Sequence, residues 1–486
     1  MARQDVAIVH SPVIRYLMDQ VQMLKEAGMA RFKEITVALV LVLAVWCGVT
    51  MPLGMAGDQA AIFGIVLVTL SLWATGLVPG YVASMFFFTA LLLGGLSTPD
   101  VVFSGFTSSA MWLIIAGFII GAAITISGLG ARIGGLTRRY LSRSYPVLIG
   151  GLMLVSMALG FVMPSSVGRA AVMVPIGMAL AEVLGLTKGT TGRTGVAAVI
   201  AIGTNMPSFA ILPSNIPNVV MAGLADQLFD VHFGYTEYLL LHYPVLGLFK
   251  SAVIVGLVLV FFPARLTAPQ DQPPAPEPPV GGKQGLLLVI LLVTLVFWST
   301  DQIHGINPAW IGAATALVLM VPQFGFVPQP AFKSAIDVGT LFFIAGALAL
   351  GVVVNKSGLG DIIAREAFAW LPMQPGADFR NFMSLALIGA GTSIFTTMPG
   401  VPAVLTPLAP DLAAATGFSL EAVLMTQVIG FSTVLFPYQI GPFIVAMGLA
   451  GEAPRRLLKV TLSLFLLTVL FLIPLDFLWW KLLAVI

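Results

Sequence analysis

Charge is what this chain has least of. Asp, Glu, Lys and Arg make up 9% of its 486 residues against 58% hydrophobic ones, and the mean hydropathy is +1.01. A water-soluble chain of this length needs far more polar surface, so the composition predicts an all-α polytopic membrane protein. Cysteine is almost missing as well: Cys47 stands alone, which excludes an intrachain disulfide. The four histidines fall outside the apolar runs, and no pair of acids lies within one. A membrane enzyme built on a His/Asp cluster or paired acids is therefore not expected. His232, His242, Glu237 and Asp230 have no metal-site spacing and read as a solvated loop. Glu182, at the end of an apolar arm, is a weak candidate for proton work.

What the chain does have is a sentence said twice. The run IAGFIIGAAITISGLG ends at Gly130, and IAGALALGVVVNKSGLG ends at Gly360. After each comes an apolar stretch cut by proline and small polar residues, first at Met163–Arg169 and again at Thr396–Gly400. Further cuts follow at Pro213–Asn218 and Pro437–Pro442. Interrupted hydrophobic segments at corresponding places in two halves point to the binding site of a secondary transporter.

A spanning helix needs about 20 apolar residues. About 11 transmembrane helices are predicted, near 35–53, 58–78, 80–97, 110–128, 194–222, 243–263, 284–300, 308–323, 337–357, 420–448 and 457–480. Segments 147–184 and 381–416, each two short arms around a polar tip, read as re-entrant hairpins, and 194–222 and 420–448 as broken helices. Residues 1–33 form a cytoplasmic segment with a possible interfacial helix, 34–57 the first span, 58–263 one repeat, 264–283 a Pro-rich cytoplasmic linker and 284–486 the second repeat. Basic residues gather in the segments placed inside, such as Arg132, Arg138, Arg139, Arg143, Lys188, Arg193, Arg455, Arg456 and Lys459. The positive-inside rule then places the N-terminus in the cytoplasm and the C-terminus outside the cytoplasmic membrane. Five steps separate the two SGLG segments, so they run in opposite directions, as an inverted repeat.

At the tips and breaks, helix N-termini suit an anion, while unwound carbonyls and hydroxyls suit a cation such as sodium. The first break offers Thr204, Asn205, Ser208, Ser214, Asn215 and Asn218; the second offers Ser432, Thr433, Tyr438 and Gln439. Candidate substrate ligands are Ser165, Ser166, Arg169, Asn215, Asn218, Thr396, Thr397, Tyr438 and Gln439. Candidate sodium ligands are Ser165, Thr204, Asn205, Thr397, Ser432 and Thr433. Arg169 sits deep in an otherwise uncharged segment. It reads either as the counter-ion of a carboxylate or sulfonate, or as a structural cap on backbone carbonyls of the facing hairpin. Lys250, one or two turns inside a span, reads as snorkelling to the interface.

This arrangement resembles the divalent-anion/sodium symporter (DASS) family of the ion-transporter superfamily over roughly residues 35–480. In that family each hairpin tip carries a Ser-Asn-Thr signature ahead of small residues and an apolar stretch ending in Pro. Here Val172–Pro175 places Ser165, Ser166 and Val167 at those positions, and Val404–Pro407 places Thr397, Met398 and Pro399 there. The signature Asn is absent from both tips. The resemblance implies a homodimer with a static scaffold, an elevator-type motion of hairpins and broken helices, and a small anionic substrate. Arg169 is expected to replace sodium's charge, making binding sodium-independent. Apart from sodium no cofactor is expected, and the partners are an anionic substrate and the lipid bilayer, not nucleic acid. The expected function is secondary transport of small organic anions (dicarboxylate, sulfonate or similar) by alternating access. The alternatives are a cation/proton antiporter or inorganic-anion exporter on the same scaffold, a polytopic membrane enzyme and a channel.

Overall fold

The computed structural model describes residues 31–486 except 32, 130–140, 142, 267–281, 361, 363–372 and 397. The expected interfacial helix within 1–33, most of the linker 264–283, Gly130, Arg132, Arg138, Arg139 and the candidate ligand Thr397 lie outside the described residues. Among the described residues the chain is helical without strands. Among the described residues nine helices are long and apolar enough to cross a membrane, ten if one bent pair counts as a single span. The chain is therefore a multi-pass membrane protein.

The principal helices are α1 Lys33–Thr50, α2 Gly57–Thr75, α3 Gly80–Leu93 and α4 Ser109–Ser127. Then come α5 Tyr145–Val162, α6 Ser166–Val183, α7 Thr191–Gly203, α8 Ile216–Phe229 and α9 Tyr235–Phe261. The second half holds α10 Gly282–Ser299, α11 Pro308–Met320, α12 Val338–Lys356, α13 Asp378–Phe395 and α14 Gly400–Thr416. It ends with α15 Leu420–Phe431, α16 Gly441–Leu449 and α17 Pro454–Leu482. One order of elements thus occurs twice: a helical pair around a polar tip, a helix broken in the middle, and a long last helix.

The breaks follow from residue chemistry. Proline lacks the N–H that continues a helix, and Pro207 and Pro213 stand in the gap between α7 and α8, with Pro217 in the first turn of α8, where a missing N–H costs nothing. Pro437 stands likewise between α15 and α16, with Pro442 in the first turn of α16. At the first tip, Pro164 stops α5, and Ser165 starts α6 by accepting the Gly168 N–H at 3.1 Å. The arms α5 and α6 are 18 residues each, longer than the short arms expected.

Lipid-facing and interior helices differ in burial. α1 and α10 expose apolar side chains such as Val42, Val49 and Val296, as a bilayer-facing surface must. α4 and α12, the two helices of the duplicated run, are the most buried of the spans. Small residues let the interior helices close up: a Cβ on Gly430 of α15 would meet Gly389 Cα of α13 at 2.6 Å.

Two expectations fail here. α9 begins at Tyr235 rather than 243, absorbing much of the expected outer loop. His242 is consequently no loop residue but fully buried, 3.4 Å from Met425 Sδ and packed on Tyr238 and Trp480. Lys250 does not snorkel: it is 1% exposed, with its ammonium on the carbonyl of Ser432 at 2.6 Å. The sequence pattern misled because α9 is 27 residues long, so Lys250 lies about 22 Å from the helix start at 1.5 Å per residue.

Candidate functional site

A cavity of 310 Å³ opens beside the first tip. Its walls include Ser165, Ser166 and Val167 at the start of α6, Asn215 and Ile216 at the start of α8, Pro442 near the start of α16, and Asp337 and Thr340 at the start of α12. The N-terminal ends of four helices thus line one space. At α12 the Asp337 carboxylate already takes up the end's positive charge, while the starts of α6, α8 and α16 carry about half a positive charge each and no acidic side chain, so that side of the cavity is suited to an anion. Side chains of α4, among them Phe118 and Leu113, supply an apolar wall. The volume is at the lower end of the range for small-molecule sites, about 300–1,000 Å³.

Of the expected substrate ligands, the structure brings Ser165, Ser166 and Asn215 to this cavity. Asn215 is anchored by its Nδ2 donating to Ser208 Oγ at 3.1 Å. Asn218 points elsewhere: it is fully buried and its Nδ2 donates to the carbonyls of Ser208 (3.2 Å) and Ile211 (3.0 Å). Gln439 is a staple inside the second break. Its Nε2 donates to Ser393 Oγ at 2.7 Å, and its Oε1 accepts from Leu435 N and Phe436 N. Tyr438 is exposed and stacks on Phe436. Thr396 bonds back to the Thr392 carbonyl and is not in the cavity wall.

Arg169 caps backbone carbonyls, those of its own tip and of the first break rather than of the facing hairpin. It is 0% exposed. Its Nε donates to the Thr204 carbonyl at 2.8 Å, one terminal nitrogen to the Met163 carbonyl, and the other to Ser166 Oγ at 2.9 Å and the Ser214 carbonyl at 3.3 Å. Four of the five guanidinium N–H groups are spent on holding the first tip to the first break. Its role as a direct counter-ion is corrected accordingly: in this conformation the charge reaches the cavity only through Ser166, whose hydroxyl it holds.

The expected sodium ligands show a related pattern. The Thr204 carbonyl is taken by Arg169, and the Ser432 carbonyl by Lys250. Thr204 Oγ1 donates to the Ile200 carbonyl at 2.8 Å and Thr433 Oγ1 to that of Ile429 at 2.6 Å, as ordinary helical back-bonds. The Asn205 carbonyl accepts from Ser208 Oγ, while its own Oδ1 is buried without a partner.

Sequence reasoning missed Asp337 and Thr340 at the mouth of the cavity, where Asp337 caps α12 through the Thr340 N–H at 3.1 Å. It also passed over Asp476, fully buried in α17. The signal for Asp476 was present, since an acid inside a long apolar run is costly and functional by default. The loop histidine His232 is held by Asp226 (3.1 Å) and Asp230 (3.3 Å), an exposed cluster rather than part of the cavity.

Helices that span a membrane, broken at depth around an anion-suited cavity, define a membrane transporter. The sequence model of the citrate transporter family matches residues 65–430, and the chain belongs to that family. A Cupriavidus necator membrane protein is 25% identical over 438 residues, 82% of each chain. The L-tartrate/succinate antiporter of Escherichia coli K12 is 23% identical over 373 residues, 72% of this chain and 74% of the antiporter. The crystal structure of the YdaH transporter of Alcanivorax borkumensis aligns with a TM-score of 0.55 at 18% identity, over 88% of this chain and 99% of that one, which shows a shared fold. The family is one of transporters, not enzymes.

Proposed function

We propose that this protein is a secondary active transporter of small organic anions of the di- and tricarboxylate class, working in the cytoplasmic membrane without a sodium requirement. The observation that carries the reading is the convergence of three helix N-termini without an acidic cap, those of α6, α8 and α16, on the cavity at the first tip. Carboxylates are the anions named by its relatives: citrate by the family, tartrate and succinate by the antiporter. That relative supports exchange of one anion for another over symport. The wider kinship with divalent-anion/sodium symporters belongs to the same proposal. So do the inverted repeat, the re-entrant hairpins, the elevator motion and the homodimer. The repeated order of helices supports the repeat.

Sodium independence is supported by the two carbonyls, Thr204 and Ser432, that already carry a side-chain cation. The test is counterflow in proteoliposomes. Vesicles loaded with unlabelled citrate, succinate or L-tartrate are diluted into the labelled anion, with sodium or choline as the cation. Uptake of at least one anion at equal rates in both salts is expected. Absence of uptake for all three, or uptake only in sodium, overturns the reading.

A further inference from the structure

A second cavity, of 430 Å³, opens where three helix ends meet: the start of α7, the end of α9 and the start of α17. Its walls include Thr191, Thr194 and Phe262 together with the cations Arg455, Arg456 and Lys459. It shares no residue with the cavity at the first tip.

Side-chain bonds hold the three ends together. Thr191 Oγ1 donates to the carbonyl of Pro263, just past α9, at 3.0 Å. Lys459 Nζ donates to the carbonyl of Phe261, the last residue of α9, at 2.9 Å, and stands 4.4 Å from the centre of the Phe262 ring. Arg456 donates to Thr194 Oγ1 at 2.5 Å and pairs with Glu452 at 3.1 Å. Glu452 lies between α16 and α17, so this junction ties the first half of one broken helix to the end of the other.

The charges at this junction do not balance. Glu452 is the one acid bound into the cluster among the described residues, and Arg456 answers it. Arg455 is exposed and has no partner among the described residues. Lys459 meets a carbonyl and aromatic rings but no acid. The carbonyl end of α9 offsets about half a charge, and the N-terminal end of α7 returns about as much. Two positive charges are therefore left for an anion.

The setting selects the kind of anion. α9 and α17 are membrane spans, so a cavity at their ends lies at the membrane boundary. It is on the face that the positive-inside reading assigns to the cytoplasm, where the membrane surface carries the negative potential of anionic lipids. Beyond the cavity the two helices pack on each other and expose apolar side chains, Val260 on α9 and Leu458 and Leu466 on α17. Leu466 comes seven residues after Lys459, two turns along, and so lies on the same side of α17. A free phosphate would use the cationic mouth alone. A molecule with a phosphate head and acyl chains uses the mouth and the apolar face beyond it.

We propose that this cavity is a binding site for an anionic phospholipid. The headgroup phosphate sits among Arg455, Arg456 and Lys459, and the acyl chains lie along α9 and α17. The bound lipid braces the junction of the three helix ends, and with it the link between the two broken helices. The site is separate from that of the transported anion and does not depend on what that anion is.

Melting of the purified full-length protein in detergent gives the test, with phosphatidylglycerol, phosphatidylcholine or inorganic phosphate added at equal concentration. A ligand of the folded state raises stability by mass action, so phosphatidylglycerol should raise the melting temperature at least about twofold more than phosphatidylcholine does. Inorganic phosphate should not reproduce that excess. The excess should vanish in Arg455→Gln/Lys459→Gln and persist in Lys333→Gln/Arg380→Gln, which removes two exposed cations elsewhere. Arg455→Gln alone takes away an exposed, unpartnered side chain without threatening the fold, and should already reduce the excess. Equal shifts from the two lipids in wild type, an excess that survives both cavity variants, or one lost equally in the control overturns the proposal. So does a full shift from inorganic phosphate, since the cavity would then hold a free anion. Transport does not enter this readout, so its failure and that of the transporter reading are told apart.

Discussion

Arg169 Nε donates to the Thr204 carbonyl at 2.8 Å across the contact between the first tip and the first helix break. With three further bonds from the same guanidinium, this fixes the tip that forms one wall of the cavity. Arg169 is thus a strut for the wall of the proposed anion site.

Removal of the strut should be felt in stability before it is felt in selectivity. Arg169→Ala leaves buried carbonyls without a donor, and a loss of about 3 kcal/mol or more is expected from bonds worth roughly 1.5–3 kcal/mol each. Arg169→Lys should recover only part, since an ammonium cannot reproduce the fork. Thermal melts of the purified protein without ligand measure both; an unchanged melting temperature for the alanine variant would refute the strut.

Val167 lines the cavity and is 44% exposed at the first turn of α6. Val167→Asp puts a negative charge where the anion is expected. The helix N-terminus tolerates that charge, so the melting temperature should hold, while anion affinity drops at least about tenfold, roughly 1.4 kcal/mol. Anion-induced thermal shift reads this directly, and an undiminished shift would place the anion elsewhere.

Asn215→Ala and Ser166→Ala remove polar groups from the cavity wall, whereas Tyr438→Phe alters an exposed residue outside it. The first two should reduce stabilisation by citrate, succinate or L-tartrate, and the third should leave it intact. Ligand stabilisation follows mass action, so titrating the anion separates weaker binding from a weaker fold.

Gly389 and Gly430 bring α13 and α15 into backbone contact. Gly430→Ala should cost about 1–3 kcal/mol, the usual range for overpacking. The expected result is a lower melting temperature that no anion concentration fully restores to wild type. A neutral outcome would mean that the two helices separate freely at this crossing.

Anion-induced stabilisation of wild type should be equal in sodium and choline, because Thr204 and Ser432 offer their carbonyls to Arg169 and Lys250. A shift seen only in sodium would reveal a cation site outside these two breaks.

The sequence by itself determined the membrane class, the helices and the places where they break. Hydropathy and proline act locally, through the cost of burying a polar backbone and the loss of one N–H, so they can be read along the chain. The duplicated SGLG runs and the four polar cuts were legible for that reason, and so were Ser165, Ser166 and Asn215, which sit at helix starts. Only the tertiary structure decided where the long cations end. A side chain of that length reaches whichever carbonyl lies within about 7 Å of its Cα, and Lys250 and Ser432 are 182 residues apart in the chain. Spacing cannot report that contact, so Lys250 read as a snorkelling residue and Arg169 as open to an anion. Packing placed both on helix-end carbonyls, where a buried charge finds the partner that makes its burial affordable.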